Sequence, residues 1–181
     1  MEPKKENLFK EVLKFSLIAI LIVAPIRIFI AQPFIVSGSS MEPTFQTKQY
    51  LIVDQISYRF EKPKRGEVVI FKYPNNLSTF FIKRIVGLPG ETVEMIDGEV
   101  FIKNNASSEG FIVKESYIKE KTDDLFTAVL GDNEYFVMGD NRMHSSDSRV
   151  WGPLDEKFIV GKAFLRLFPL NKIGIKPGYN D

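Results

Sequence analysis

A chain of 181 residues has room for one sizeable domain and a short appendage. Its formal net charge of +1 gives no bulk electrostatic attraction for nucleic acid or an acidic partner. The absence of cysteine excludes disulfides and thiolate chemistry, and a single histidine excludes a histidine-rich metal site.

Residues 1–14 are charged and mixed, with Lys4, Lys5, Lys10 and Lys14 among three glutamates. Residues 15–26 then carry no charge until Arg27. That run is short for a membrane span, but Lys14 and Arg27 would lie about 20 Å apart on a helix, and both can snorkel toward a core roughly 30 Å thick. Leu8, Phe9, Val12 and Leu13 extend the apolar surface inward, and residues 28–34 extend it outward. A cleaved signal peptide is the competing reading, but the small residues it needs are missing: Ala31 has Phe29 two places before it, and Ala24 has Ile22. A buried core helix is the plain alternative. The expectation is an uncleaved single-pass anchor over residues 12–31, with residues 1–11 cytoplasmic because lysines precede the span. Residues 32–181 then form an extracytoplasmic domain.

The stretch SGSSMEPT at 37–44 follows. Glycine and three serines in four positions make a hydrogen-bonding turn, and Pro43 restricts the backbone beyond it. A serine there can be presented to a substrate without a helix burying it. Blandly read, the stretch is a polar linker.

From Phe34 onward the pattern is that of a β protein. Short apolar runs at 50–53, 67–73, 79–86, 91–96, 99–103 and 134–138 have strand length. Turn residues at 62–66, 74–76 and 87–90 separate several of them, and Asp97-Gly98 suits a two-residue hairpin with positive φ. Residues 111–117 read as a further strand, 119–131 as a short helix or a strand, and 157–168 as one or two last strands. The fold class expected is mainly β: an antiparallel β domain with complex connections and one N-terminal transmembrane helix.

Two further stretches carry chemistry. On a strand over 79–86, Phe81, Lys83 and Ile85 share one face, and Phe80, Ile82, Arg84 and Val86 the other. A lysine among apolar neighbours loses hydration of its ammonium, so its pKa falls and the neutral amine can act as a general base. The plain alternative is a snorkelling surface lysine. The polar loop at 139–152 allows two local acid–base pairs, Asp140 with Arg142 and Asp147 with Arg149, besides a longer-range partner such as Arg84. Such a loop is either a rigid support for a site or a solvated surface segment.

Together these stretches resemble the bacterial type I signal peptidases, membrane-bound Ser/Lys endopeptidases. SSMEPT at 39–44 is similar to the nucleophile box, RGEVVIF at 65–71 to a strand box, and IKRIVGLPGE at 82–91 to the lysine box. GDNR at 139–142, SSDSR at 145–149 and Trp151-Gly152 resemble the last box. The short interval between the lysine and last boxes is similar to the compact, single-anchor members of Gram-positive bacteria. The resemblance implies Ser40 as nucleophile and Lys83 as general base, with Ser145 orienting the lysine amine. It implies structural ion pairs Asp147–Arg149 and Asp140–Arg84, and an oxyanion hole that includes the Ser40 backbone N–H. Some relatives add a hydroxyl two places before the nucleophile; here that place is Gly38. Met143 and His144 also depart from the usual Asp-Asn.

Substrate-binding residues expected from their apolar character beside the boxes are Phe34, Ile35, Met41 and Phe81. No metal or cofactor is called for. The implied partners are secretory preproteins, cleaved after Ala-x-Ala-type sequences, and the lipid bilayer, with the chain a monomer and no nucleic acid involved. Three rivals remain: a Ser/His dyad through His144, a self-cleaving repressor-type Ser/Lys protease, and a membrane-tethered binding domain without catalysis. The second would need a DNA-binding or partner-binding arm instead of an apolar anchor.

Overall fold

The computed structural model describes residues 8–25, 31–104, 110–122 and 124–179. Helix α1, Leu8–Pro25, comes first. Its apolar residues run consecutively rather than at helical spacing, so they ring the whole circumference, and residues 8–23 are all exposed. Lys10, Glu11 and Lys14 occupy its first half. Among the described residues no helix is long and apolar enough to cross a membrane. The boundary expected for the anchor is corrected at its outer end: Ala31 already belongs to strand β1, Ala31–Ile35, paired with Asp54, and residues 26–30 lie outside the described residues.

The strands that follow are β2 (Tyr50–Asp54), β3 (Val68–Tyr73), β4 (Asn76–Gly87), β5 (Glu91–Ile96), β6 (Glu99–Asn104), β7 (Phe111–Ile112), β8 (Phe126–Val129) and β9 (Glu134–Met138). A one-turn helix α2 (Ser148–Trp151) precedes β10 (Leu154–Asp155), β11 (Ile159–Phe168) and β12 (Gly174–Ile175). An eight-stranded sheet has the order β1-β2-β11-β3-β4-β9-β10, with β12 also on β11; a four-stranded sheet has the order β7-β6-β5-β8. All described pairings are antiparallel. The β5–β6 hairpin turns through Asp97 and Gly98 at φ 51° and 74°, the doubly positive backbone that a two-residue turn demands.

Two cores flank the site. One gathers Met41, Phe45, Leu51, Val53, Val68 and Ile70 beneath the turn that follows β1. The other packs Val69, Phe71, Ile85, Tyr135, Val137 and Leu154 together. A third core packs Val93, Val100 and Ile102 of the smaller sheet with Val86 of β4 and Phe136 of β9. Strand β4 runs from an exposed hairpin at its start to five buried residues at its end, and Lys83 and Arg84 are the first two of these.

Candidate active site

Gly38 adopts φ 95°, a conformation a side chain would strain, and its N–H and C=O both bond the Thr47 hydroxyl, at 3.2 and 3.1 Å. The chain then turns tightly, with the Glu42 N–H donating to the Ser39 carbonyl at 3.0 Å. Met41 and Phe45 anchor this turn in the core, which leaves the Ser40 hydroxyl at the floor of a 390 Å³ cleft. Among the described residues the Ser40 N–H makes no hydrogen bond.

Lys83 reaches the same point from β4. It sits opposite Val69 on β3, is 4% exposed, and donates from Nζ to the Ser40 Oγ at 2.7 Å and to the Ile82 carbonyl at 3.0 Å. Burial drives the pKa of its amine down from 10.5 to about 8; the negative charges of Asp147 and Asp140 oppose that shift without cancelling it. The neutral fraction, about a tenth at pH 7 and growing through pH 8, can take a proton from a hydroxyl 2.7 Å away.

The loop after β9 holds this pair in place. Arg84 grips Asp140 with a two-pronged contact, Nε to Oδ1 at 2.9 Å and Nη2 to Oδ2 at 2.6 Å, both residues being 1% exposed. The same guanidinium donates to the carbonyls of Gly66 and Gly178, and it lies over the Tyr117 ring. Asp140 also accepts from the Thr44 hydroxyl at 2.5 Å, tying the loop to the turn that bears Ser40. Asp147 accepts from Arg149 Nε at 2.8 Å and from the Gly139 N–H at 3.0 Å. Burial alone would raise the Asp147 pKa, but Arg149 and the Gly139 N–H outweigh it and hold the carboxyl below its ordinary value. Gly139 lies so close to the turn that an added Cβ would stand 2.4 Å from the Ser40 carbonyl and 2.3 Å from the Ser145 Oγ.

The expected residues fall out as follows. Ser40 and Lys83 meet, and the pairs Asp140–Arg84 and Asp147–Arg149 form. Phe34, Ile35 and Phe81 line the cleft. Met41 does not: it is 1% exposed and packs into the core under the turn, so its place against a substrate is corrected to one of support. The local pair Asp140–Arg142 is also absent, because Arg142 is buried against Glu115. The Ser145 hydroxyl is buried and faces Asp147, where it helps hold the carboxyl below its ordinary value; among the described residues it makes no hydrogen bond to Lys83. Exposed His144 lies at the cleft rim. Sequence reasoning singled out neither Thr44 nor Glu115 for a role. Thr44 was visible only as the last letter of SSMEPT, and Glu115 carried no local signal at all.

Residues 9–168 match the model of the family described as signal peptidase, peptidase S26. A probable signal peptidase I-2 of Synechocystis sp. is 36% identical over 180 residues, covering 96% of this chain and 80% of that protein. Signal peptidase I T of Bacillus subtilis (strain 168) is 36% identical over 176 residues, covering 94% and 91%. A solved signal peptidase I from Enterococcus faecalis V583 is 29% identical with a TM-score of 0.48, covering 56% of this chain and 97% of that one.

Proposed function

Since the chain belongs to the signal peptidase family, peptidase S26, and is a type I signal peptidase, we propose that it cleaves signal peptides from exported preproteins with Ser40 as nucleophile and Lys83 as general base. One observation carries the reading: a buried lysine amine, its pKa lowered to about 8, lies 2.7 Å from a serine hydroxyl at the floor of a cleft.

The steps follow from that geometry. Neutral Lys83 takes the Ser40 proton as Oγ bonds to the scissile carbonyl carbon. The carbonyl oxygen becomes an oxyanion facing the Ser40 N–H. Collapse breaks the C–N bond, and the proton on Lys83 passes to the leaving amine. Lys83 then takes a proton from water as its oxygen bonds to the acyl carbon, and returns that proton to Ser40 Oγ as the ester C–O bond breaks. Ser145 is assigned the aiming of the amine.

An extended substrate laid between β1 and β4 would present alternate side chains to the cleft walls, so small residues at two alternating positions, as in Ala-x-Ala, fit a shallow site. The apolar segment beginning near Val12 is read as the membrane anchor. Its support is the stretch of α1 after Lys14, where residues 15–23 are uncharged on every side and exposed, with lysines ahead of the segment that keep the N-terminus cytoplasmic and the catalytic domain outside.

The decisive experiment incubates detergent-solubilised enzyme with a secretory precursor. Ser40→Ala and Lys83→Ala should keep the melting temperature within a few degrees yet cleave at least about a thousandfold more slowly. Near-normal cleavage by either would remove the assignment. Only neutral Lys83 is active, so kcat/KM should rise with pH along a limb centred at about 8. His144→Ala should leave that limb in place. A limb near the ordinary histidine value of about 6.5 that vanishes with His144→Ala would move the base role to His144.

A further inference from the structure

We propose that Asn141 is a positioning residue for the reaction: it holds the peptide groups on both sides of Ser40 and so aims the Ser40 N–H at the oxyanion. The inference rests on the reading of Ser40 as nucleophile. The Asn141 side chain donates from Nδ2 to the Ser39 carbonyl at 3.2 Å, and the Asn141 backbone N–H donates to the Ser40 carbonyl at 3.0 Å. The Ser39–Ser40 peptide is trans, so its C=O and N–H point in opposite directions. Anchoring the Ser39 oxygen therefore decides where the Ser40 N–H points. Anchoring the Ser40 oxygen restrains the second plane, and the two together restrict the φ and ψ of Ser40.

The clamp has a rigid mount. Asn141 follows Asp140, which is locked to Arg84, and the Asn141 carbonyl accepts from the His144 N–H at 3.1 Å. The absence of a side chain at Gly38 raises the stakes, because no hydroxyl there can supplement the backbone donor. The Ser39 oxygen also accepts from Glu42, so losing the Asn141 amide loosens the plane without freeing it. Hydrogen bonds weaken steeply as they bend, and removing one whole oxyanion donor costs about 100- to 1000-fold in rate. Loosening its aim should cost roughly tenfold.

The test uses the full-length enzyme in detergent. Asn141→Ala should lower kcat about tenfold, leave KM within about twofold, and leave the pH limb where it is. Asn141→Asp has the same shape but sets a carboxylate against the Ser39 carbonyl, so it should be slower than Asn141→Ala; it also serves as the second variant should the alanine form fail to fold. A peptide aldehyde separates aiming from general structure. The Ser40 Oγ adds to its carbonyl carbon, the hydroxyl proton passes to Lys83, and the aldehyde oxygen becomes the oxyanion. Its affinity should fall by the same factor as kcat, while a peptide with a reduced CH2–NH linkage at the scissile position binds unchanged. Wild-type kcat in both variants, or equal weakening of both ligands with a lower melting temperature, would reduce Asn141 to a structural loop residue. Activity retained by Ser40→Ala would instead overturn the reading of the site itself.

Discussion

An ammonium held away from water raises the free energy of the folded chain, and Lys83 carries that cost beside the Ser40 hydroxyl. Below pH 8 the amine is protonated in both folded and unfolded chains, and the folded state holds a poorly solvated charge. Between about 8 and 10.5 the unfolded chain keeps its proton while the folded chain has lost it. The unfolded state then binds more protons, so wild-type stability rises with pH across that window. The gap corresponds to on the order of 3 kcal/mol. Lys83→Met removes it but forfeits hydrogen bonds to Ser40 and Ile82, about 1 kcal/mol each. The inactive variant should therefore melt a few degrees higher at pH 7, with its lead shrinking as pH climbs from 8 toward 10.5. A lead that stays constant with pH would show that Lys83 is not held with a lowered pKa. The residues that meet in the cleft were legible through the resemblance of their boxes; the local patterns alone, a Gly/Ser turn and a lysine among apolar strand residues, also suit a polar linker and a surface lysine. Met41 was misread because its position beside Ser40 suggests the cleft, whereas the tight turn drives it into the core.

Strands β2, β3, β5, β6 and β9 were readable because alternation and turn residues act locally; β1 was not. Ala31–Ile35, apolar but for Gln32, lies a few residues past the uncharged run, and its strand character comes from pairing with Tyr50–Asp54, about twenty residues on. The stretch expected as a strand over 111–117 stops at Ile112, because Glu115 turns to hold Arg142 and Tyr117 lies under Arg84. That same long-range demand explains why Arg142 leaves Asp140 to Arg84. The Arg84–Asp140 contact is the joint between β4, the last loop and the serine turn, and its energetics differ from those of a surface pair. Asp140→Asn leaves a buried guanidinium without its counter-charge and should cost about 3–5 kcal/mol. Glu94→Gln, which breaks the exposed contact with Lys103 across the β5–β6 pair, should cost less than about 1 kcal/mol. Urea midpoints at pH 7 measure both, and equal losses would mean that Asp140 does not anchor the loop.

At the scale of the whole molecule, the chain divides between a helix with no exposed face that is polar throughout and a β domain that carries every residue of the candidate site. The division does not fall where the apolar character ends. Strand β1, mostly apolar, forms an edge of the large sheet; its Phe34 ring meets Phe80 at 5.3 Å, and Phe34 and Ile35 wall the cleft. Just beyond it, Val36 exchanges backbone hydrogen bonds with Gln49 and Lys48. Two truncations should therefore behave differently. Removing residues 1–25 leaves β1 intact, so cleavage of a soluble signal-sequence peptide should stay within about threefold of the full chain. Removing residues 1–36 strips one wall of the cleft, and since misplacing a reacting group by an ångström costs about a hundredfold, activity should fall by at least that much. Flotation with anionic lipid vesicles supplies the second measurement. The full chain should float with the vesicles and resist a 1 M salt wash, whereas the form lacking residues 1–25 should not, because the charges in α1 alone would be screened at that salt. A full chain that washes off in salt would sink the anchor while leaving the catalytic reading untouched. Full activity in the form lacking residues 1–36 would show instead that β1 plays no part in holding the substrate.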